Sequence, residues 1–435
     1  MGAGGYTLQS KAGLSVPTTH LESKETNALK KGSLKKFQES FNWEGMVHQD
    51  GRRLIAVVVD EYSMVSATQL YWVHHRLQEA TASTHEFGGV CIALFGDPGQ
   101  LPPVGGTSLW RSERDNTKSA ISGLCKAGHD LYMAIQTVME LNVVRRQSGH
   151  YRDALMRLRD GKTTPEDWKD FWNKNCSFEG IGQQRSDEFK QDPSTLRIYS
   201  NNEDCKRENK KALKQLNHPI MRIQAEHDGL PGKRSSDKSA EACGELENTL
   251  YISKESKVML RRNLATQCGL VNGSVGFVKE IVYENEHDPR KFSLPIAVIV
   301  EFESYTGAPF FHGESRRKWV PLRPQKQDIN RSEETHRRQF SVCLAYAITG
   351  HKSQGMTIRG KVLIEIGDKE ATSGLLYVMT SRNTDIQNLC IGKSKPFERW
   401  SKNVQTKGME KRLKEDERLR ELASETRDFF GVDSR

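Results

Sequence analysis

Three β-branched apolar runs stand out from a polar background: Arg53–Asp60 (RLIAVVVD), Val90–Asp97 (VCIALFGD) and Lys361–Ile366 (KVLIEI). Short continuous runs of this kind predict strands of a parallel sheet buried on both faces. The first two end in a carboxylate, and a helical pattern over Ser66–Ala80 follows the first. Strand, polar end, helix is the alternation of a doubly wound α/β sheet. Ligands bind such sheets beyond the carboxyl ends of the strands, which is where Asp60, Glu61 and Asp97 fall.

Residues 182–245 are polar, and GKRSSDKSAEACGE (232–245) reads as a flexible surface insertion. Strand patterns then recur over Ser274–Tyr283, Leu294–Phe302, Lys318–Leu322 and Gln339–Ala347. Short strands with turn signals predict a small β-barrel inserted in a second α/β domain. In the charged last 35 residues the spacing of Leu413, Leu419 and Leu422 predicts an amphipathic helix. It is expected to be a solvated terminal helix rather than a partner-binding one. The chain carries no internal repeats.

Composition adds bounds. A length of 435 residues predicts two to four domains, and 36% hydrophobic with 28% charged residues fits a soluble globular protein. No stretch approaches the roughly 20 apolar residues that cross a membrane, and the N-terminus lacks the pattern of a secretory signal. A net charge of +9, from 65 Lys+Arg against 56 Asp+Glu, is compatible with a polyanionic partner. The eight cysteines are scattered with no C-x-x-C pair, which predicts free thiols in a reducing compartment rather than a zinc ribbon or disulfide scaffold.

Four segments could carry chemistry. VVVDEYSMV (57–65) delivers two adjacent carboxylates to a strand end. Magnesium takes one or two carboxylates plus substrate phosphates, so Asp60 is the metal candidate, and Glu61 is the candidate for orienting or deprotonating an attacking water. A lone Asp-Glu pair is more often an ordinary strand end in solvent. GDPGQLPPVGG (96–106) presents Gln100 on a Gly/Pro loop; its amide can donate to a phosphate and accept from a water. Such dipeptides usually mark turns, but two strands ending in acids are harder to explain by chance. Arg145 and Arg146 in LNVVRRQ and Arg382 in YVMTSRN offer guanidinium groups for bidentate phosphate contacts; singly, each is more often a surface ion-pair former. AYAITGHKSQGMTI (345–358) carries His351, Lys352, Gln354 and Gly355 on a loop that could meet a nucleic-acid backbone on one side and ATP on the other. His351 has no partner at metal-ligand spacing. Gly161-Lys162-Thr163 imitates the end of a phosphate-binding loop, but G-x-x-x-x-G-K-[ST] needs glycine where Met156 stands and a buried strand where YRDALMRLRD reads as a charged helix.

In this order, GGYTLQS (4–10), VVVDEYSMV, GDPGQLPPVGG, LNVVRRQ, KVMLRRNLATQCGLVNGSVGFV (257–278), AYAITGHKSQGMTI and YVMTSRN resemble the petite-integration-frequency helicases, relatives of the RecD helicases of superfamily one. The resemblance spans residues 4–383, and its most specific words are GDPGQLPPVGG and HKSQGMT. It implies two RecA-like doubly wound motor domains with an SH3-like barrel inserted in the second. The boundaries expected are 1–138 for the first motor domain; 139–272 for the start of the second, with a polar insertion near 225–248; 273–340 for the barrel; 341–400 for the return of the second; and 401–435 for the tail. It implies ATP hydrolysis with Mg²⁺ coupled to 5′-to-3′ movement on single-stranded DNA, DNA junctions as substrates, a monomer, and roles in repair, recombination or telomere upkeep, in the nucleus or another intracellular compartment such as the mitochondrion. Residue by residue, Asp60 and Glu61 fall on the metal and water positions, Gln100 on the phosphate sensor, and Arg146 and Arg382 on the two phosphate-contacting arginines. Gln354 and Gly355 fall on the nucleotide side of their loop; Thr7, Ser10, His351 and Lys352 fall in DNA-contacting motifs.

One departure is large. The family's phosphate-binding loop precedes GGYTLQS, and the 435 residues contain no G-x-x-x-x-G-K-[ST] pattern. A charge-assisted hydrogen bond contributes roughly 1.5–3 kcal/mol, and that loop supplies several. This polypeptide by itself is therefore expected to bind ATP poorly and hydrolyse it negligibly. Two readings follow: a fragment of a helicase, or a helicase-like protein that holds nucleic acid without turnover.

Overall fold

The computed structural model describes residues 34, 37–38, 56–111, 120–173, 181–228, 240, 243–284, 294–330, 335–367, 372–393, 395–401 and 407–431. GGYTLQS, with Thr7 and Ser10, lies outside them. Asn201–Thr349 form one compact unit, and the segments through Ser200 and from Gly350 form the other. Those divisions differ from the expected boundaries at 138/139 and 272/273.

The larger unit opens with β1 (Ala56–Val59), then α1 (Ala67–Thr81) and β2 (Cys91–Leu94). Ser66-Ala67-Thr68-Gln69 makes a capping box: the Ser66 hydroxyl accepts from the Gln69 amide and the Gln69 side chain from the Ser66 amide. That box fixes the helix start one residue after the expected one. Leu70, Val73, Leu77 and Ala80 then form its buried stripe, packed with Val59 and Tyr62. β1 and β2 pair in parallel, Ala56 with Cys91 through Val59 with Leu94. Neither is buried on both faces as the apolar runs predicted. Val58 is 65% exposed, because among the described residues each of these strands pairs only with the other. Next come α2 (Ala120–Met133), α3 (Gly149–Arg159), α4 (Ile181–Gln191) and β3 (Leu196–Tyr199). Helix α3 covers most of YRDALMRLRD, so Gly161-Lys162-Thr163 follows a helix and not a strand.

The smaller unit begins with α5 (Asn202–Gln215), capped by the Asn201 side chain accepting from the Asp204 amide. It continues through β4 (Met221–Gln224), β5 (Glu226–Asp228), β6 (Thr249–Ile252), β7 (Lys257–Leu260), β8 (Val275–Val282), β9 (Ala297–Phe302), β10 (Trp319–Leu322), β11 (Gln325–Asn330), β12 (Thr335–Gln339), β13 (Val342–Leu344) and β14 (Ala347–Thr349). An antiparallel five-stranded sheet runs β10-β9-β8-β7-β13. Its inward positions, Val258, Leu260, Val278, Val298, Val300 and Phe302, make one core. The sheet draws in β7 and β13, outside 273–340. Two expectations need correction. Gln339–Ala347 is not one strand: β12 ends at Gln339 to pair with β5 and β11, and β13 joins the other sheet. The insertion near 225–248 is in part built into the fold, since β5 pairs with β12 and Cys243 and Leu246 are fully buried.

The chain returns to the larger unit through α6 (Gly350–Ser353), β15 (Val362–Glu365), α7 (Leu375–Thr380), β16 (Leu389–Ile391) and α8 (Lys407–Phe430). β15 lies between β3 and β16, parallel to both, and is the buried strand that KVLIEI predicted. Stacked Trp172 and Trp400, ring centroids 5.0 Å apart, secure the segment before α8. The terminal helix is not a solvated one. Its leucines are only half-buried, whereas Met409, Arg412, Glu415, Asp416, Ala423 and Thr426 are buried. Polar partners explain this: Glu415 accepts from Tyr132, and Thr426 from the Val138 amide.

Candidate nucleotide and nucleic-acid site

The first acidic loop leaves β1 at Asp60. The Asp60 side chain is exposed and accepts from the Glu61 amide at 2.9 Å. Glu61 sits in the left-handed region, φ 52°, and starts a turn whose Tyr62 amide donates to the Phe95 carbonyl. That φ is costly for a residue with a Cβ, on the order of 1–3 kcal/mol, and it turns the carboxylate away from the strand. The Gln354 side-chain amide donates to the Glu61 carboxylate at 2.9 Å. Gly355, at φ 76°, lies close enough that an added Cβ would be 3.6 Å from the other Glu61 oxygen.

The second loop leaves β2 at Gly96. The Asp97 side chain accepts from the Gly99 amide and its carbonyl from the Gln100 amide, so Asp97 shapes the turn that carries Gln100. Gly374 packs flat on this turn: a Cβ there would stand 2.7 Å from the Gly99 carbonyl oxygen and 2.9 Å from that of Gln100. Among the described residues, the side-chain carbonyls of Gln100 and Gln354 are both buried without a hydrogen-bond donor. A buried orphan acceptor costs about 1–3 kcal/mol, and a bound water would relieve either one.

The arginines arrive on segments that grip one another. Arg146 donates to the Thr357 hydroxyl at 3.1 Å and the Ser381 carbonyl at 3.4 Å. Gln147 donates to the carbonyls of Ser381 and Asn383, both at 2.7 Å, and the Tyr151 hydroxyl to that of Thr380. Arg382 is 1% exposed and donates to the Val378 carbonyl and the Ser381 hydroxyl. Burial, helped by the neighbouring Arg146 cation, pushes its pKa down to about 10, while Glu61 and Asp97 partly offset the shift. It remains a cation at neutral pH, with no carboxylate hydrogen-bonded to it among the described residues.

The structure therefore gathers Glu61, Gln354 and Gly355 at one point, sets Gln100 against Gly374, and pairs the Arg146 segment with that of Arg382. Asp60 sits beside Glu61 without a described contact to the arginines. Lys352 is exposed on α6 and His351 half-buried, and no described hydrogen bond ties either to the acids or arginines. No group of three His, Cys, Asp or Glu side chains converges among the described residues. An exposed carboxylate with open lone pairs suits magnesium, which completes its shell with water and phosphate oxygens.

Sequence reasoning missed the residues that brace this site. Arg159 donates to Asp97 at 2.6 Å and 2.9 Å and to Asp416 at 2.9 Å and 3.2 Å, and Arg412 donates to the Arg159 carbonyl at 2.7 Å. Burial acts to raise the Asp97 pKa, but Arg159 outweighs it and holds the carboxyl below its usual range. Tyr62, next to Glu61, stacks on Tyr132, whose hydroxyl donates to Glu415 at 2.7 Å. One helix, α8, thus braces the residues next to both acidic loops. Locally, Arg412 and Asp416 read as an ordinary i,i+4 surface pair, so nothing short of the fold reveals them.

A RecA-like α/β fold is the class these features fit, with acids at parallel strand ends and the two arginine segments held to one another. No family model matches the chain. By sequence it is similar to the ATP-dependent DNA helicase PIF1 of Danio rerio, 28% identical over 391 residues, which cover 89% of this chain and 51% of that one. The PIF1 helicase of Mus musculus is 25% identical over 336 residues, 77% of this chain and 44% of that one. The chain thus spans about half the length of the curated relatives it matches. By fold it is similar to a Pif1 helicase at forked double-stranded DNA, with a TM-score of 0.66, 19% identity, and 96% and 83% of the two chains covered. A Bacteroides Pif1 helicase in complex with ADP-AlF3 and single-stranded DNA aligns with a TM-score of 0.61 and 19% identity over 91% of this chain and 80% of that one. The resemblance to the petite-integration-frequency helicases that the motifs carry holds across sequence and fold alike.

Proposed function

We propose that this chain is the greater part of an ATP-dependent DNA helicase that moves 5′ to 3′ along single-stranded DNA and acts at junctions. The observation that carries the reading is the buried Arg382 cation, with Arg146 beside it and Glu61 within electrostatic reach, a charge arrangement suited to a polyphosphate. Similarity to helicases, one of them bound to ADP-AlF3 and single-stranded DNA, supports it. Asp60 and Glu61 would hold Mg²⁺, directly or through water, and Glu61 would orient the attacking water. Gln100 senses the terminal phosphate, donating to it from the side-chain amide and accepting a hydrogen bond from the water at the side-chain oxygen, which has no donor among the described residues. Gln354 and Gly355 line the nucleotide beside Glu61. Arg146 and Arg382 contact phosphates; Thr7, Ser10, His351 and Lys352 contact DNA. Mg²⁺–ATP supplies the transferable phosphoryl group and the charge the arginines neutralise. The β8–β10 sheet serves as an SH3-like insertion, and the protein works as a monomer in repair, recombination or telomere upkeep, in the nucleus or mitochondrion.

The test is turnover. The 435-residue polypeptide, which holds no phosphate-gripping loop pattern, should show negligible DNA-stimulated ATP hydrolysis. With the loop restored, Arg382→Ala should lower turnover by roughly 10³-fold or more, as for an arginine finger, and change ATP affinity far less. A loss confined to affinity would remove Arg382 from the finger role. A polypeptide that binds DNA normally yet never hydrolyses ATP even with the loop restored would instead be a helicase-like binding protein.

A further inference from the structure

Helix α5 has two unlike faces. Cys205, Asn209, Ala212 and Leu213 point into the smaller unit, where Asn209 donates to the Ala347 carbonyl at 2.8 Å and accepts from the amides of Tyr346 and Ala347. The opposite face carries Arg207, Lys210, Lys211 and Lys214, at i, i+3, i+4 and i+7. With Gln215 and Asn217 they line an open groove of about 630 Å³ that has no acidic side chain in its wall. Arg207 pairs with Asp204 one turn back, and none of the three lysines pairs with a carboxylate among the described residues.

Like charges at i,i+4 destabilise a helix, and this face holds two such pairs, Arg207 with Lys211 and Lys210 with Lys214. Interaction with the helix dipole accounts for a cation in the last turn, here Lys214, but fades beyond it. Arg207 and Lys210 lie farther back. The Asp204 carboxylate offsets the charge of Arg207, but among the described residues no carboxylate pairs with Lys210, Lys211 or Lys214, and a polyanion laid along the groove would offset their repulsion. Amide side chains at one end add neutral donors that suit phosphate oxygens.

We infer that the Arg207–Lys210–Lys211–Lys214 face of α5 is a sequence-independent binding site for the phosphate backbone of DNA, formed by residues other than the DNA-contacting ones proposed above. The inference rests on the nucleic-acid reading of the chain. Counterion release gives binding a salt slope that falls by about 0.7 for each single-strand phosphate contact removed. The experiment compares the full polypeptide with Lys210→Gln/Lys214→Gln, using fluorescence anisotropy of labelled oligothymidine across a salt series. Gln matches Lys in helix propensity, and a thermal melt confirms the fold. The double variant should lower the log–log salt slope by about 1.4, with affinity lost equally for an unrelated sequence. Lys254→Gln/Lys326→Gln, two exposed lysines off this face, should leave the slope unchanged. An unchanged slope in the α5 variant, or an equal drop in the control, overturns the inference while the helicase reading stands. Wild-type polypeptide that binds no DNA overturns both. Competition by polyglutamate as strong as by DNA overturns the choice of ligand and assigns the groove to an acidic protein partner.

Discussion

The loops after β1 and β2 both leave a parallel strand with a carboxylate at its end, and they hold that carboxylate in opposite ways. Asp60 is exposed and accepts only from the next amide among the described residues. Asp97 accepts from Gly99 and twice from Arg159, which Asp416 of α8 holds in turn. An acid that keeps its lone pairs open can take a metal or a water. An acid that gives them to a buried guanidinium fixes a backbone turn instead, and here the turn is the one that presents Gln100. Glu61 stands between these cases, with one bond to Gln354 and a strained backbone.

Breaking the braced loop should have the largest effect. Arg159→Ala leaves the half-buried Asp97 without its hydrogen-bonded cation and leaves Asp416 with Arg412 alone, at 3.6 Å; stranding one partner of a buried pair costs up to about 3–5 kcal/mol. Urea unfolding should show a loss of that order; an unchanged midpoint would mean the two carboxylates find solvent and the loops do not differ.

Acid sharpens the contrast next. The Asp97 carboxyl titrates below its ordinary value because Arg159 outweighs burial. A depressed folded-state pKa contributes stability above the unfolded value, about 3.9, and that stability is lost as pH falls through the folded one. The melting temperature should therefore drop below about pH 4, at up to about 1.4 kcal/mol per pH unit for this group. Asp97→Asn should flatten that part of the curve. Asp167, where the bonds to Arg157 likewise outweigh burial, supplies a remaining slope. If Asp97→Asn and wild type fall in parallel, Asp97 is not the titrating brace.

The open loop should respond least. Glu61→Gly removes the left-handed strain and the bond to Gln354 together, so stability should move by no more than about 1 kcal/mol. Asp60→Asn, at an exposed position, should stay within about 0.5 kcal/mol. A large loss in Asp60→Asn by thermal melting would place a structural partner on Asp60 and erase the distinction.

Much of this was legible beforehand. The apolar runs marked β1, β2 and β15, and the helical pattern after the first run marked α1. The motifs named Glu61 and Gln354, which the fold joins by a hydrogen bond, and Arg146 and Arg382, whose segments it pairs. Burial of β1 and β2 was misjudged because a run of valines states a preference for the interior and not which strand will cover it. The helix α8 was misjudged for a related reason: its apolar stripe is weak, and what buries it is hydrogen bonding to Tyr132, Val138 and Arg159, residues hundreds of positions away.

The linear order of residues settled what is local: strand and helix periods, caps, the types of side chain available at each strand end, and the missing phosphate-gripping pattern. These depend on neighbours within one or two turns, where backbone geometry alone sets who meets whom. Only the tertiary structure decided which acid is open and which is tied, that Arg382 is a buried cation, and that α8 braces both loops. Burial and pairing are properties of distance through space, and a charged residue reads the same in sequence whether water or another charge surrounds it.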